Sequence, residues 1–204
     1  MHTRFRLAPV AVVLGLSLAV SGCGQYSYAK LRGKKIFRDA NAMYQQQDYK
    51  RAAELYQEVL TADPDLVTAY FFLGNSLDNL YKPSRVGEKE NDSYLQRAIE
   101  NYKIAAERET DPKMKKLALE YLVAAYGPDK LNDPSLSEPI VKQMISMEPN
   151  EPTNYFALAK IYEDSGMYED AEATLLKARE VRPNEPTVYT TLAGYYNRQG
   201  EFEK

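Results

Sequence analysis

The residue types that most often carry catalytic chemistry are scarce in this chain. Among its 204 residues there is one histidine, His2, and one cysteine, Cys23. A serine or cysteine nucleophile needs a base that titrates near neutral pH, usually a histidine, and a structural zinc site needs several cysteine or histidine ligands. Neither set is available after residue 23. The sequence therefore argues against nucleophilic catalysis, and we expect no metal and no cofactor.

Other catalytic signals are equally weak. No glycine-rich phosphate loop of the form GxxxxGK[ST] or GxGxxG occurs, so nothing predicts a nucleotide site. Glu163 and Asp164 are adjacent acids, but neighbouring residues on a helix point to different sides and do not form an acid–base pair. The formal net charge is −3, so the chain lacks the excess of basic residues that is typical of nucleic-acid-binding proteins. We therefore expect a protein that is not an enzyme and does not bind nucleic acid.

The N-terminal segment has the pattern of a targeting signal. Arg4 and Arg6 precede an uncharged apolar run over residues 7–20. Fourteen residues are too few to span about 30 Å of hydrocarbon as a helix, whereas they fit the apolar region of a secretory signal peptide. The run ends in Val20-Ser21-Gly22-Cys23, with small residues where a signal peptidase must cut. An ordinary secreted protein with a chance cysteine is the alternative.

This segment closely resembles a bacterial lipoprotein signal, whose lipobox reads aliphatic, small, small, Cys. The resemblance implies that residues 1–22 are removed, that Cys23 receives the lipids, palmitate included, and that residues 23–32 form a short tether. Several acyl chains hold a protein stably on a membrane without spanning it. Gly24, rather than Asp, follows the cysteine. By the lipoprotein sorting rule, this implies the outer membrane, facing the periplasm, if the source has two membranes.

The C-terminal part of the chain is repetitive. Identical residues recur at a separation of 34 positions, and Pro149 and Pro183 are one such pair. Further pairs are Pro152 and Pro186, Tyr155 and Tyr189, Leu158 and Leu192, Ala159 and Ala193, Tyr162 and Tyr196, and Gly166 and Gly200. Such self-similarity at a fixed period is the signature of a repeat architecture.

Each repeat has the pattern of two helices. In the clearest one, an apolar stripe at i, i+3, i+4 and i+7 begins at Tyr155 and predicts a first helix. Gly166 follows it, as glycine commonly follows a helix C-terminus. Ala171, Leu175 and Ala178 form a second stripe, which Pro183 ends. The pattern is similar to the tetratricopeptide repeat (TPR), which implies an all-α, right-handed solenoid of antiparallel helix pairs.

The spacing predicts five repeats after the tether. Their expected bounds are 33–66, 67–112 with an inserted loop at 81–92, 113–149, 150–185, and an incomplete repeat at 186–204. The last unit has no second helix in this sequence, and residues 201–204 resemble the start of one. We therefore expect the chain to be a fragment of a longer protein.

In TPR proteins the first helices line a concave groove, so the resemblance implies which residues face a ligand. By register with the family pattern these are Phe37, Asn41, Tyr44, Phe71, Asn75, Asp78, Phe156, Lys160, Glu163, Thr190 and Asn197. The three phenylalanines would be apolar anchors beside hydrogen-bonding asparagines, which suits an extended peptide or a partner helix. The alternative, equally open from the sequence, is that the phenylalanines pack between helices.

Taken together, these patterns favour a lipid-anchored, non-catalytic scaffold that binds a protein partner of the cell envelope in its groove. Assembly of envelope machinery is the role that the resemblance implies. The alternative is an accessory or N-terminal module of a larger enzyme, or of a secretion or pilus component, whose active part follows residue 204. The sequence does not determine the oligomeric state.

Overall fold

The computed structural model describes residues 28–203, and within them all regular structure is helical, which confirms the all-α prediction. A short 3₁₀ helix, Pro83–Arg85, interrupts the connection between the third and fourth α-helices. The nine α-helices of this part of the chain are α1 (Tyr28–Gln45), α2 (Tyr49–Ala62), α3 (Thr68–Leu80), α4 (Lys89–Arg108), α5 (Pro112–Tyr126), α6 (Pro134–Met147), α7 (Pro152–Asp164), α8 (Tyr168–Val181) and α9 (Pro186–Gln199).

A recurrent pair of residues starts four of these helices. An acid followed by proline occurs at the beginning of α5, α6, α7 and α9. Proline is favoured at the first helical position because its fixed φ suits the helix and its missing N–H is unpaired there anyway. In α5, α6 and α7 the acid accepts hydrogen bonds from free backbone N–H groups of the first turn. Asp111, for example, accepts from Lys113 and Met114 at 2.8 and 3.1 Å, whereas Glu185 before α9 makes no such bond.

The structure shortens two segments that the sequence predicted to be irregular. Residues 28–32, expected to belong to the tether, form the first turns of α1. Residues 89–92, expected to lie in the inserted loop, begin α4, so the loop covers only 81–88. Glu90 and Asp92 favour a helix N-terminus through the macrodipole. Asn91 is buried; its carboxamide accepts from the Lys82 N–H at 2.8 Å and donates to the Arg85 carbonyl at 3.0 Å.

The start of α6 is earlier than the sequence alone predicts. Ser137 precedes the apolar Val141 and Met144 and is the cap that the sequence favours, with Pro139 in the first turn. The helix instead begins at Pro134, and Asp133 caps it by accepting from the Ser135 N–H at 3.1 Å. Pro139 consequently lies inside the helix rather than in its first turn. The Ser137 hydroxyl instead donates to the Pro134 carbonyl at 3.1 Å.

Large and small side chains alternate in the core where paired helices cross. Tyr56 and Tyr102 are fully buried, and the alanines at the helix crossings, such as Ala52 and Ala98, are buried too. Gly74 allows a close approach of α3 and α4, because a Cβ there would stand 3.0 Å from the Tyr102 ring. Small residues at these crossings therefore permit dense helix packing.

The buried side chains form two hydrophobic clusters. One extends from Ala40 to Met144 and covers α1 to α6. The other extends from Tyr155 to Tyr195 and covers α7 to α9. In α9 the repeat spacing predicted a buried stripe that includes Tyr189, but Tyr189 is 48% exposed and Val188, Leu192 and Tyr195 are buried instead. The Tyr195 hydroxyl donates to the Tyr168 carbonyl at 2.7 Å, which holds that ring against α8.

Within residues 28–203 no helix combines the length and apolarity needed to cross a bilayer. The same residues contain no group of three or more His, Cys, Asp or Glu side chains placed to hold a metal ion. The predicted signal peptide, residues 1–22, and the predicted lipid acceptor, Cys23, lie outside the described residues.

Candidate protein-binding groove

The first helices of the pairs, α1, α3, α5 and α7, lie side by side with α9, and we call this arrangement the first-helix row. The Tyr44 hydroxyl on α1 donates to Asn75 on α3, and Phe71 on α3 meets Tyr121 on α5 with ring centroids 5.3 Å apart. Further along, Arg198 of α9 binds Glu163 of α7. Most of the sequence-predicted groove residues are therefore brought together on neighbouring helices.

Aromatic side chains fill the junction between α1 and α3. Phe72 stacks on Tyr56 at 5.7 Å with an interplanar angle of 17°, and meets Phe37 and Tyr44 edge-on at 6.1 and 5.5 Å. Phe37 is half-buried in this group and also contacts Tyr56. Phe72 was not predicted as a site residue from the sequence. The signal that could have identified it is its position directly after Phe71.

Phe71 packs between helices, which is the second of the two alternatives that the sequence left open for the phenylalanines. Its side chain is only 4% exposed and lies among Phe72, Tyr102 and Tyr121. In the register of α3, this residue faces the next repeat instead of solvent, because Tyr121 on α5 closes over it. Of the three predicted anchors, Phe37 and Phe156 are half-buried against the two hydrophobic clusters.

Two of the predicted asparagines form hydrogen bonds within the fold. Asn75 is 2% exposed and accepts hydrogen bonds from Tyr44 and, at 3.0 Å, from Asn79. Asn41 accepts from the Tyr56 hydroxyl at 2.6 Å. Their side-chain oxygens are therefore occupied by tyrosines of the same chain rather than presented to a ligand.

Burial keeps these tyrosines protonated. Desolvation raises the pKa of Tyr102, Tyr56 and Tyr44, and the nearby Asp78 carboxylate raises that of Tyr102 further. A phenol with a raised pKa acts as a hydrogen-bond donor at neutral pH and not as a base. The cluster therefore offers directed hydrogen bonds and no acid–base chemistry.

A polar cavity of about 290 Å³ opens over these groups. Its wall comes from α1, α2, α3, α5 and the loop after α5, and the residues that line it are Tyr44, Tyr49, Asn75, Asp78, Asn79, Tyr121 and Lys130. Asn79 is exposed, and its position one helical turn after Asn75 places its amide at the cavity mouth. Four of these residues were not predicted from the sequence: Tyr49, Asn79, Tyr121 and Lys130.

An apolar cleft of about 270 Å³ lies between α5 and α7, beside the start of α6. Val123, Ala124 and Gly127 form one wall, and Ala157 and Ile161 form the other. When the repeats are aligned, Phe156 corresponds to Phe71 and Ala157 corresponds to Phe72. The junction that Phe72 fills between α1 and α3 is therefore left open between α5 and α7.

Charged residues stand beside the apolar cleft and continue to α9. Lys160 and Asp164 contribute to the cleft and pair with each other across one turn of α7. Glu163 accepts from Arg198 at 2.8 and 3.0 Å, and these hydrogen bonds lower the pKa of the Glu163 carboxyl. The predicted residues Thr190 and Asn197 are exposed on α9, where the Thr190 hydroxyl donates to the Thr187 carbonyl at 3.0 Å.

Comparison with known proteins agrees with this architecture. Two family models, each described as tetratricopeptide repeat, match residues 37–80 and 131–195, together more than half of the chain. Tetratricopeptide repeats are therefore confirmed in this chain. The comparison with curated proteins found no match.

Several solved structures share the fold. A crystal structure of the MamA protein superposes with a TM-score of 0.62 at 19% identity, over 84% of this chain and 85% of that one. MamA from Desulfovibrio magneticus RS-1 gives 0.63 at 14% identity, over 84% and 88%. YrrB, described as a TPR protein with an unusual peptide-binding site, gives 0.57 at 15% identity, over 86% and 85%. At these identities the likeness concerns the fold.

Proposed function

We propose that this chain is a lipid-anchored, non-catalytic scaffold of the bacterial cell envelope, facing the periplasm from the outer membrane in a source with two membranes. It binds an extended segment of a partner protein along the first-helix row. One observation supports this binding mode above the others: the row offers an apolar cleft and a polar cavity on either side of the loop between α5 and α6. Such alternation suits a peptide whose backbone and polar side chains bind beside one apolar anchor.

The size of the apolar cleft points to a side chain as its occupant. Pockets for drug-sized ligands usually enclose roughly 300–1,000 Å³, and this cleft of about 270 Å³ lies below that range. Most of its lining is apolar, from alanine, valine, isoleucine, proline and Gly127, and polar side chains such as Lys160 and Asp164 complete it. A single large aliphatic or aromatic residue of a peptide is the ligand of matching size and polarity.

The polar cavity would hold the peptide backbone. Asn79 is exposed, and its side-chain nitrogen donates to the backbone carbonyl and the side-chain oxygen of Asn75. Tyr49 and Tyr121 are half-buried and line the same cavity. Amide and phenol groups bind peptide N–H and carbonyl groups in a way that tolerates different sequences. YrrB, which shares the fold, is a precedent for peptide binding by a TPR protein.

A pair of matched variants tests the cleft. Peptides that bind the chain are first selected from a displayed random library. Ala157→Phe then places in the cleft the ring that Phe72 supplies between α1 and α3, while Ala173→Phe adds the same ring at an exposed position of α8. We expect selected peptides to share a large apolar residue and to lose at least tenfold in affinity for Ala157→Phe only. Equal affinity for both variants would contradict peptide binding in the cleft.

Anchoring is tested separately at Cys23. The Val20-Ser21-Gly22-Cys23 sequence supports lipid attachment. Intact-mass measurement of the mature protein is expected to show an acylated N-terminus at residue 23, and Cys23→Ala to yield unprocessed precursor. A mature wild-type protein with an unmodified N-terminus would refute the anchor and leave the peptide-binding proposal standing.

A further inference from the structure

The N-terminal half of α1 carries a concentration of positive charge in an acidic protein. The chain has a formal net charge of −3, yet Lys30, Arg32, Lys34, Lys35 and Arg38 fall within nine consecutive positions with no acid among them. Asp39 is the first acidic residue of the helix. This local excess is large enough to attract an anionic surface even though the whole chain is negative.

Helical geometry places four of these cations on one exposed face. Arg32, Lys34, Lys35 and Arg38 are all exposed, whereas Gly33 and Ala40 on the opposite side are buried. Lys30 differs, since it turns towards Asp65 and pairs with it at 3.3 Å. Among residues 28–203, no acidic partner binds Arg32, Lys34 or Lys35, and Arg38 has only Asp39 at 3.9 Å.

Two apolar side chains stand within this basic face. Tyr28 is 83% exposed and Leu31 is 54% exposed. Residues three, four and seven positions apart share one side of a helix, so Tyr28, Leu31 and Lys35 line up with cations on both flanks. An isolated exposed leucine is ordinary, but an apolar strip bordered by lysine and arginine is the composition of a helix that lies in the membrane interface.

The position of α1 in the chain, close to Cys23, also favours contact with a membrane surface. Tyr28 is five residues after Cys23, and five residues span at most about 18 Å when fully extended. A lipid on Cys23 would hold the start of α1 within that distance of the headgroups. This part of the argument depends on the anchoring proposed above, while the charge and exposure of α1 do not.

We propose that the exposed basic face of α1 is a second membrane contact, which binds anionic phospholipid headgroups and inserts Leu31 and Tyr28 at the boundary with the acyl chains. The contact fixes the orientation of the solenoid on the bilayer. It leaves the first-helix row beyond α1 free to bind a protein.

A single introduced thiol tests this contact in the full chain. Because Cys23 is the only cysteine and is acylated in the anchored protein, Leu31→Cys carries the only thiol that reacts with a polarity-sensitive fluorophore. The labelled protein is reconstituted into vesicles of phosphatidylcholine alone or of phosphatidylcholine with phosphatidylglycerol. We expect the emission to shift to shorter wavelength only in the anionic vesicles. The shift should disappear in 1 M salt, where the Debye length falls to about 3 Å.

Matched charge reversals identify the residues responsible. Lys34→Glu with Lys35→Glu should abolish the shift, whereas Lys89→Glu with Lys113→Glu, the same charge change at exposed positions of α4 and α5, should preserve it. The fluorophore at Ala173→Cys on α8 should report an aqueous environment throughout. An identical spectrum in neutral and anionic vesicles, or an equal response of the two charge-reversed proteins, would overturn the proposal.

The test also separates this contact from the anchor. If the mass of the protein shows no lipid on Cys23, the anchoring proposal fails, and labelled protein added from solution to the two kinds of vesicle still tests the face of α1. In that case Cys23→Ser is added so that the introduced thiol remains the only one. Binding to an acidic protein instead of lipid would appear as an unshifted spectrum in both vesicles.

Discussion

Lys130, in the loop between α5 and α6, forms an ion pair with Asp78 near the C-terminal end of α3. The Asp78 side chain is 8% exposed and also accepts from the Tyr102 hydroxyl at 3.3 Å. The pair ties a loop of the third repeat to the first helix of the second. It also defines one wall of the polar cavity.

Replacing Lys130 should destabilise the fold. Lys130→Met leaves the nearly buried Asp78 carboxylate without its cation, and an unpaired buried group typically costs about 1–3 kcal/mol. Urea denaturation followed by circular dichroism measures the loss. Lys177→Met is the control, because Lys177 and its partner Glu180 are 57% and 63% exposed and losing such a surface pair should change the unfolding free energy little. Equal losses would show that the Lys130 pair is only a surface contact.

Two glycines in first helices should respond in opposite directions to alanine. At Gly74 the new Cβ would meet the Tyr102 ring at 3.0 Å and the Ala98 carbonyl at 3.1 Å, and overpacking of this kind usually costs about 1–3 kcal/mol. At Gly194 the nearest atom is the end of the flexible Arg198 side chain at 3.4 Å. Alanine there should stabilise the helix by up to about 1 kcal/mol. A stabilising effect of Gly74→Ala in thermal melts would contradict the close crossing of α3 and α4.

Phe71→Ala should mainly lower the unfolding free energy of the protein, with any effect on partner binding being secondary. A buried phenylalanine replaced by alanine usually costs about 3–5 kcal/mol, and Phe71 is enclosed by three other rings. Phe202→Ala, at a side chain 79% exposed, is the control and should change the unfolding free energy little. Phe71→Ala that melts like the wild type would show that this residue lies on the surface after all.

The stability of the α7–α9 contact should depend on pH through Glu163. Arg198 lowers the pKa of this carboxyl in the folded state, so the folded protein holds the proton less tightly than the unfolded chain, where the pKa is about 4.3. The stabilisation is therefore present above that pH and is lost as the pH falls through the lower folded value. Glu163→Gln should reduce the loss of unfolding free energy between about pH 6 and pH 3. An unchanged pH profile would assign the effect to other carboxyls.

Sequence patterns were sufficient for the repeat architecture because it depends on local spacing. The stripe at Tyr155, Leu158 and Ala159 is buried as predicted, and Gly166 adopts the positive φ expected after a helix. In contrast, the predicted insertion was assigned four residues too many, because period counting does not register the helix-favouring acids Glu90 and Asp92. The beginning of α1 was missed since it precedes the recognisable repeat.

The candidate site was predicted less completely, because it depends on how neighbouring repeats meet. Register with the family predicted that Tyr44, Asp78 and Lys160 face the groove, and in the structure they line the polar cavity or the apolar cleft. It did not show that Tyr121 covers Phe71, since that contact joins residues 50 positions apart. The apolar cleft arises because Ala157, opposite α5, has a small side chain. The effect of this alanine is recognised only when it is compared with Phe72 at the corresponding position of another repeat.

Site-specific photo-crosslinking in the source cells tests the central claim, that the first-helix row binds a partner protein. A photoreactive residue is placed at Asn79 or Lys160 on the row, and at Glu58 or Ala173 on second helices, all exposed positions. We expect one and the same protein to crosslink from both row positions, not from the second helices, and to be lost when Ala157→Phe fills the cleft. Crosslinks of equal yield from the second helices, unaffected by Ala157→Phe, would contradict the account.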